Sequence, residues 1–190
     1  MQSQIFARLK QSTQAIHKDL EAAVNLPHSL HSVGDYRNLL ERFHILYALY
    51  EVEMRALATE LSPWLPDIAE RMRTESLCHD LRRLGDEPSS LAAPDVPRVR
   101  SVAQAWGCLY VLEGSTLGGQ IISRHLADLA FIPSNARSFF AGYGSRVGEM
   151  WTKFKTAVEG YSQANPQDDD AIVASAVETF QTFYQQLSRS

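Results

Sequence analysis

Three glycines and one histidine–carboxylate pair are the residues of this chain whose type and spacing could do chemistry. Gly114, Gly118 and Gly119 fall within six residues of an otherwise helical apolar pattern. Each glycine costs a helix roughly 1 kcal/mol relative to alanine. Gly114 and Gly118 are four residues apart, so they lie on one helix face and open a notch. The notch favours either close packing of another helix or a large flat ligand against bare backbone.

His17 differs from the other histidines because Glu21 follows it one helical turn later. A histidine that binds a metal usually gives its other N–H to an oxygen acceptor, and Glu21 could accept it directly or through water. The same pair is common on ordinary helix surfaces. No second histidine, cysteine or carboxylate stands at chelate spacing to His17, so a metal there would need most of its ligands from elsewhere.

Haem meets that requirement, because its porphyrin supplies four nitrogens and the protein supplies only an axial ligand. The glycine segment would then give the flat macrocycle a smooth opposing wall. The haem propionates need cations at the mouth of such a site. The candidates are Lys10, two turns before His17, and Lys153 and Lys155 on either side of Phe154.

Composition indicates one ordinary globular domain, which we expect to span residues 1–190. Hydrophobic residues are 45% and charged residues 21%. A net charge of −4 argues against a nucleic-acid or anionic-membrane surface. The chain has no apolar run of membrane-spanning length and no signal-peptide core, so the cytoplasm is the expected compartment. Cys78 and Cys108 are too few for a disulfide framework.

The spacing of apolar residues predicts an all-α domain of about six to eight helices and no strand. Helices are predicted over 4–24, 35–60 and from Ser101 to Pro133, with a partly helical stretch over 135–160 that ends at Gly160 and a last helix after Asp170. Ser62-Pro63 predicts the start of a further helix, and Gly85 a helix end. Residues 85–99 are predicted to be a loop.

With both motifs in view, the chain resembles the haem oxygenases over nearly its whole length. Thr13-x-x-x-His17-x-x-x-Glu21 is similar to the proximal-histidine motif on the family's first helix. Residues 112–120, LEGSTLGGQ, are similar to its distal-helix glycine motif. The order of the motifs makes the match specific, and Tyr36 and the Lys-Phe-Lys run agree with it. The glycine motif is most similar to bacterial members, including those that supply biliverdin to bacteriophytochromes.

The resemblance implies a haem-oxygenase-like helical bundle that opens haem to biliverdin, CO and Fe²⁺, using O₂ and electrons from a reductase or ferredoxin. Haem would be both cofactor and substrate, with His17 as the iron ligand. The catalytic residues implied are Gly114, Ser115, Gly118 and Gly119, and the haem-binding residues are Lys10, His17, Glu21, Tyr110, Lys153, Phe154 and Lys155. A bacteriophytochrome that receives biliverdin is an implied partner.

The chain departs from the family pattern at three positions. Ser115 stands where many members have an aspartate, so the proton network would be built differently, around Ser115 or Glu113. Leu109 stands where some members place a propionate-binding tyrosine, with Tyr110 beside it. Glu159 stands where some place an arginine. Propionate anchoring, and with it the meso carbon attacked, is therefore left open.

Three alternatives remain open at this point. The first is a haem-binding or haem-trafficking protein on the same fold that leaves haem intact under oxygen and reductant. The second is a related helical fold that acts on a non-haem small molecule, since fold does not fix function. The third is an all-α domain with a glycine-relaxed helix crossing and no ligand. Haem uptake, and the fate of bound haem, discriminates among them.

Overall fold

A computed structural model of the protein describes residues 4–87 and 96–188. These ranges form eight α-helices and no strand, which confirms the all-α prediction. The helices are α1 Gln4–Val24, α2 Val33–Ala56, α3 Ala58–Leu61, α4 Thr74–Arg83, α5 Val102–Asp128, α6 Ser138–Ala141, α7 Val147–Ala164 and α8 Asp169–Leu187. Short 3₁₀ turns cover Ile68–Arg71, Gly144–Arg146 and Pro166–Asp168.

Helix α5 runs through the middle of the core. Both α1 and α5 pack along α8, and α2 packs on α4. The first half of α5 is buried on all sides, and Trp106 lies fully inside, against Phe154 and Tyr161 of α7. The predicted stripe of α1 begins with the buried Ile5 and Leu9. Helix α8 is therefore the common support of the helix that carries the histidine and the helix that carries the glycines.

The start of α5 confirms the prediction from sequence, but its end does not. Ser101 caps the helix, and its hydroxyl oxygen accepts the Gln104 N–H at 3.2 Å. The helix ends at Asp128 rather than at Pro133. Leu129 is already extended, and its N–H bonds the Leu126 carbonyl three residues back, so the last turn tightens and stops.

The prediction of a helix that starts at Ser62-Pro63 is wrong. The segment forms turns, followed by a 3₁₀ turn over Ile68–Arg71. A second proline at Pro66 explains the error, because proline lacks an N–H and pushes the preceding Leu65 away from helical geometry.

Two further boundaries differ from prediction, and one agrees. Helix α2 breaks at Leu57 instead of continuing to residue 60, and α7 passes through Gly160 to Ala164. Gly85 ends α4 as predicted, with a left-handed φ of 89°. Of the predicted loop over 85–99, residues 88–95 lie outside the described residues. Among the helices described, none combines the length and apolar character needed to cross a membrane.

Candidate functional site

One face in the second half of α5 is apolar and uncovered. We call it the open face; it consists of Gly114, Leu117, Gly118 and Ile121. A Cβ built at Gly118 meets no described atom within 4 Å, and one at Gly114 meets only Trp151, at 3.9 Å. Leu117 is 39% and Ile121 59% exposed. Close packing of another described helix therefore does not explain these two glycines.

Gly119 has a different reason to be glycine. A Cβ there would lie 3.2 Å from the carbonyl oxygen of Phe140 on α6, which is tighter than most real Cβ contacts. Of the two explanations that the sequence left open, helix packing thus fits Gly119, and free space for a ligand fits Gly114 and Gly118.

His17 lies on α1 as a half-exposed side chain. Its Nε2 is 3.7 Å from Glu21 Oε1, which is longer than a hydrogen bond but short enough for a bridging water. The imidazole meets the ring of Phe180 edge-on, with ring centres 5.4 Å apart. Helix α8 therefore supports one side of His17 and leaves the rest of the imidazole accessible.

A contact between Thr13 and Tyr110 joins α1 to α5. Burial raises the pKa of Tyr110, and the neighbouring Thr13 hydroxyl opposes that rise. Thr13 also donates to the Leu9 carbonyl at 2.8 Å. The contact lies one turn before His17 on α1 and one turn before Gly114 on α5. The structure thus brings the two helices together directly beside both sequence motifs.

Ser115 flanks the open face and is bonded to a residue that the sequence analysis missed. The Tyr47 and Ser115 hydroxyl oxygens are 2.8 Å apart. Because Ser115 Oγ donates to the Leu112 carbonyl at 2.7 Å, Tyr47 is left as the donor to Ser115. Burial raises the pKa of Tyr47, so its hydroxyl stays protonated. No local signal marked Tyr47, which lies on α2, 68 positions away in sequence.

A buried charge network holds Glu113, which lies beside the open face on α5. Glu113 Oε2 is 2.5 Å from Arg71 Nη1, and Oε1 accepts the Tyr143 hydroxyl at 2.7 Å. Arg71 also donates to Asp67 at 2.8 Å. Burial raises the pKa of Glu113, while Arg71 and Tyr143 oppose that rise. The Glu113 carboxylate is therefore already engaged by Arg71 and Tyr143.

Of the lysines expected to contact the propionates, the two on α7 lie on different sides of that helix. Lys10 is exposed on α1. Lys153 is ion-paired to Glu149 at 2.7 Å, which raises the pKa of Lys153. Lys153 and Lys155 flank the fully buried Phe154, so they point to different sides of α7.

Tyr110 and Phe154, both expected to bind haem, belong to one aromatic cluster. The ring centres of Tyr110 and Phe154 lie 6.1 and 5.4 Å from that of Trp151. Trp151 in turn is the side chain nearest to the space beside Gly114. Phe154 is fully buried, so it reaches the open face only through Trp151.

A serine, a histidine and an aspartate also meet near α6, but their geometry is not that of a hydrolase. Ser138 Oγ and Asp80 Oδ1 both approach the same nitrogen, His79 Nδ1, at 3.4 and 3.2 Å. A catalytic triad places the serine and the aspartate on different imidazole nitrogens. Asp80 instead accepts the N–H groups of Ser138 and Phe139 at 3.0 and 2.8 Å, so it fixes the start of α6.

Within the described ranges, no three His, Cys, Asp or Glu side chains converge to hold a metal ion. A metal at His17 would therefore take its remaining ligands from a group that the protein binds. Such a group would have to tolerate an apolar wall, which the open face provides beside the junction of α1 and α5.

Comparison with known proteins gives a concordant result. The family model described as "Heme oxygenase" matches residues 3–189 of this chain. A relative named "Heme oxygenase" from Xanthomonas campestris pv. campestris (strain 8004) is 34% identical over 145 residues, which cover 74% of this chain and 81% of the relative.

Two solved structures are similar in fold. The NO- and CO-bound heme oxygenase from Neisseria meningitidis aligns with a TM-score of 0.82 and 22% identity, over 98% of this chain and 91% of that chain. The heme oxygenase from Leptospira interrogans aligns with a TM-score of 0.75 and 19% identity, over 97% of this chain and 98% of that chain. At these identities the likeness establishes the fold.

Proposed function

This chain belongs to the haem oxygenase family, and we propose that it opens haem to biliverdin, CO and Fe²⁺ with O₂ and external electrons. One observation carries the proposal. Gly114 and Gly118 face open space beside exposed apolar side chains, close to the junction with the helix that presents His17. A helix gives up stability at such glycines without gaining packing, so a ligand is the remaining use of the space.

The residues at this site fit haem. A porphyrin is flat and apolar, so it would cover Leu117 and Ile121, whose exposure to water is unfavourable in the free protein. Bare backbone at Gly118 allows the ring to come closer than any side chain would permit. His17 would bind the haem iron through its imidazole. When bound, haem supplies the iron that activates O₂ and the ring that is oxidised.

The side chains around the open face would orient the substrate and exclude water. His17 would fix one side of the ring through its imidazole, which is itself placed by Phe180. Leu117 and Ile121 would remove water from the other side. The bare backbone at Gly114 would leave room for a small molecule such as O₂, with Trp151 as the nearest side chain.

Tyr47 and Ser115 would hold the proton that the reaction needs. The Tyr47 hydroxyl donates to Ser115, whose own proton is on the Leu112 carbonyl. Rotation about the Ser115 Cβ–Oγ bond would turn that proton away from the Leu112 carbonyl towards a ligand, while Tyr47 continues to donate to the same oxygen. This pair would do the work of the aspartate that many family members have at the position of Ser115.

The remaining expectations belong to the same proposal. Lys10, Tyr110 and whichever of Lys153 and Lys155 faces the ligand would anchor the propionates, and Lys153 would first have to release Glu149. Glu21 would orient His17 through water. A reductase or ferredoxin would deliver electrons, a bacteriophytochrome would receive biliverdin, and the reaction would take place in the cytoplasm.

An absorption titration tests the proposal. One equivalent of haemin should give the purified protein a Soret band, and reductant in air should convert that band into biliverdin-like absorbance. A Soret band that persists after verified reduction would instead favour a haem carrier. No haem complex at all would contradict the proposed substrate.

The ligand assignment is tested by His17→Ala, with His28→Ala as a control that removes another exposed histidine. Because His17 is half-exposed, its removal should leave the fold intact. We expect His17→Ala to lose ring opening and the characteristic haem spectrum, and His28→Ala to retain both. Full turnover in His17→Ala would refute the assignment.

A further inference from the structure

A turn of the chain braces the side of α5 that lies away from Gly118. We call that side the back face; it consists of Glu113, Thr116, Gly119 and Gln120. These residues recur at helical spacing, and Glu113, Thr116 and Gln120 lie about half a turn away from Gly118. Residues 140–144 run along the back face and touch it at several points.

We call residues 140–144 the brace. Two hydrogen bonds connect it to α5. The Tyr143 hydroxyl donates to Glu113 at 2.7 Å, and Gln120 Nε2 donates to the Gly144 carbonyl at 2.8 Å. The two anchor points on α5 are seven residues apart, so they lie on either side of the open-face glycines. The soft part of the helix is thus held at both of its ends by the same short segment.

The backbone conformation of the brace directs the Tyr143 side chain towards α5. Gly142 and Gly144 on either side of it both have a φ of 57°, a backbone angle that residues other than glycine rarely adopt. The Tyr143 ring is 9% exposed, and the Arg73 guanidinium lies 5.6 Å from its centre. Arg71 occupies the other oxygen of Glu113. The hydroxyl of Tyr143 therefore has one defined target.

We propose that Tyr143 is a positioning residue, which sets the orientation of the open face through Glu113 and so selects the edge of the haem ring that is attacked. The inference rests on the proposed function, since it takes the open face to be the haem surface. A helix with three glycines in six residues is weakly stabilised by its own backbone. Its position therefore depends on what holds its back face.

The test removes one hydroxyl in Tyr143→Phe and uses Tyr36→Phe as the matched control. Tyr36 is also buried, and its hydroxyl donates to the Ala136 carbonyl at 2.8 Å rather than to α5. Amide hydrogen exchange is measured over residues 113–121 in the haem-free proteins. We expect exchange about tenfold faster in Tyr143→Phe, since it loses a bond to a charged acceptor, and unchanged in Tyr36→Phe. Equal rates in all three proteins would overturn the proposal.

The second readout is the ratio of ring-opened isomers formed with haem. Tyr143→Phe should give a mixture that differs from wild type by at least a few-fold in that ratio, whereas Tyr36→Phe should match wild type. An unchanged ratio alongside faster exchange would refute the selecting role. Because exchange is measured without haem, a protein that takes up no haem would refute the proposed function and leave the brace measurable.

Gln120→Ala keeps the test decisive if Tyr143→Phe does not fold. Gln120 is only partly buried, so its loss leaves the core intact. It removes the second anchor of the brace, and exchange should quicken over 117–121 by a few-fold. Wild-type exchange in Gln120→Ala would show that residues 140–144 do not hold the helix.

Discussion

The two halves of α5 carry glycines on the same side of the helix for opposite reasons. Gly107 and Gly114 are seven residues apart, nearly two full turns, so they face almost the same direction. A Cβ at Gly107 would lie 2.2 Å from the backbone oxygen of Ile172 and 2.8 Å from the nitrogen of Ala176. A Cβ at Gly118 would meet no described atom within 4 Å. In the first half, glycine allows the backbone of α8 to come close. In the second half, the same side of the helix is not covered by described atoms at Gly118.

The position of helix α8 separates the glycine that is needed for close packing from the glycines that leave the helix surface uncovered. Helix α8 lies directly over Gly107, and Ser175 fastens it there by donating to the Gln104 carbonyl at 2.8 Å. Further along α5, Trp151 of α7 stands beside Gly114. The difference shows that a glycine in a helix has to be judged by what its missing Cβ would touch, and that residue type and spacing alone do not decide it.

The largest expected effect is on stability, from Gly107→Ala. The added methyl would collide with backbone atoms of α8, which cannot move aside as a flexible side chain would. Overpacking of this kind costs about 1–3 kcal/mol or more, against a helix-propensity gain of about 1 kcal/mol. We expect the melting temperature to fall by roughly 5 °C or more, or the protein not to fold.

Gly148→Ala is the control for Gly107→Ala. Gly148 lies in the first turn of α7, and no described atom is within 4 Å of its Cβ position. The control should therefore gain a few tenths to about 1 kcal/mol from helix propensity. Thermal unfolding that moves in the same direction in both variants would remove the contrast between covered and uncovered glycines.

The next largest effect separates stability from ligand binding in Gly118→Ala. The free protein should become more stable by about 0.5–1 kcal/mol, because alanine favours the helix and meets no clash. Haem affinity should fall about tenfold, since a methyl of this size would hold the ring away from the backbone by overpacking. Calorimetry and a haemin titration measure the two changes, and Gly148→Ala should raise stability without changing affinity. Loss of stability in Gly118→Ala would mean that the open face is covered.

This contrast also shows what the sequence could predict. The motif spacing placed Gly114 and Gly118 on one face, and the resemblance assigned a ligand to that face. Gly107 carried no such signal, because the atoms that require it lie on α8, far along the chain. Tyr47 could not be identified from the sequence for the same reason, since its partner Ser115 is 68 positions away. Pro66, in contrast, was visible in the sequence, and its effect on the helix predicted after Ser62 follows from the proline ring alone.

Side chains on the open face should matter less than its backbone. Ile121→Ala removes apolar surface that is 59% exposed in the free protein, so stability should stay within about 0.5 kcal/mol of wild type. If haem covers part of that side chain, affinity should fall a few-fold, at about 0.8 kcal/mol for each CH₂ covered. Val52→Ala on α2 is the control, because Val52 is 63% exposed on another helix. Equal haem titrations for both variants would place haem elsewhere.

The smallest effect is expected for Gly119→Ala. This variant tests whether haem affinity depends on the face where a glycine lies or on the number of glycines in the helix. Its Cβ would sit 3.2 Å from the Phe140 carbonyl, so the neighbour must give by a few tenths of an ångström. That strain should offset most of the helix-propensity gain of about 1 kcal/mol, which leaves the melting temperature nearly unchanged. Haem affinity should equal that of wild type, because the methyl points away from the open face. A tenfold loss, matching Gly118→Ala, would mean that overall softness of the helix, and not a bare face, is what haem requires.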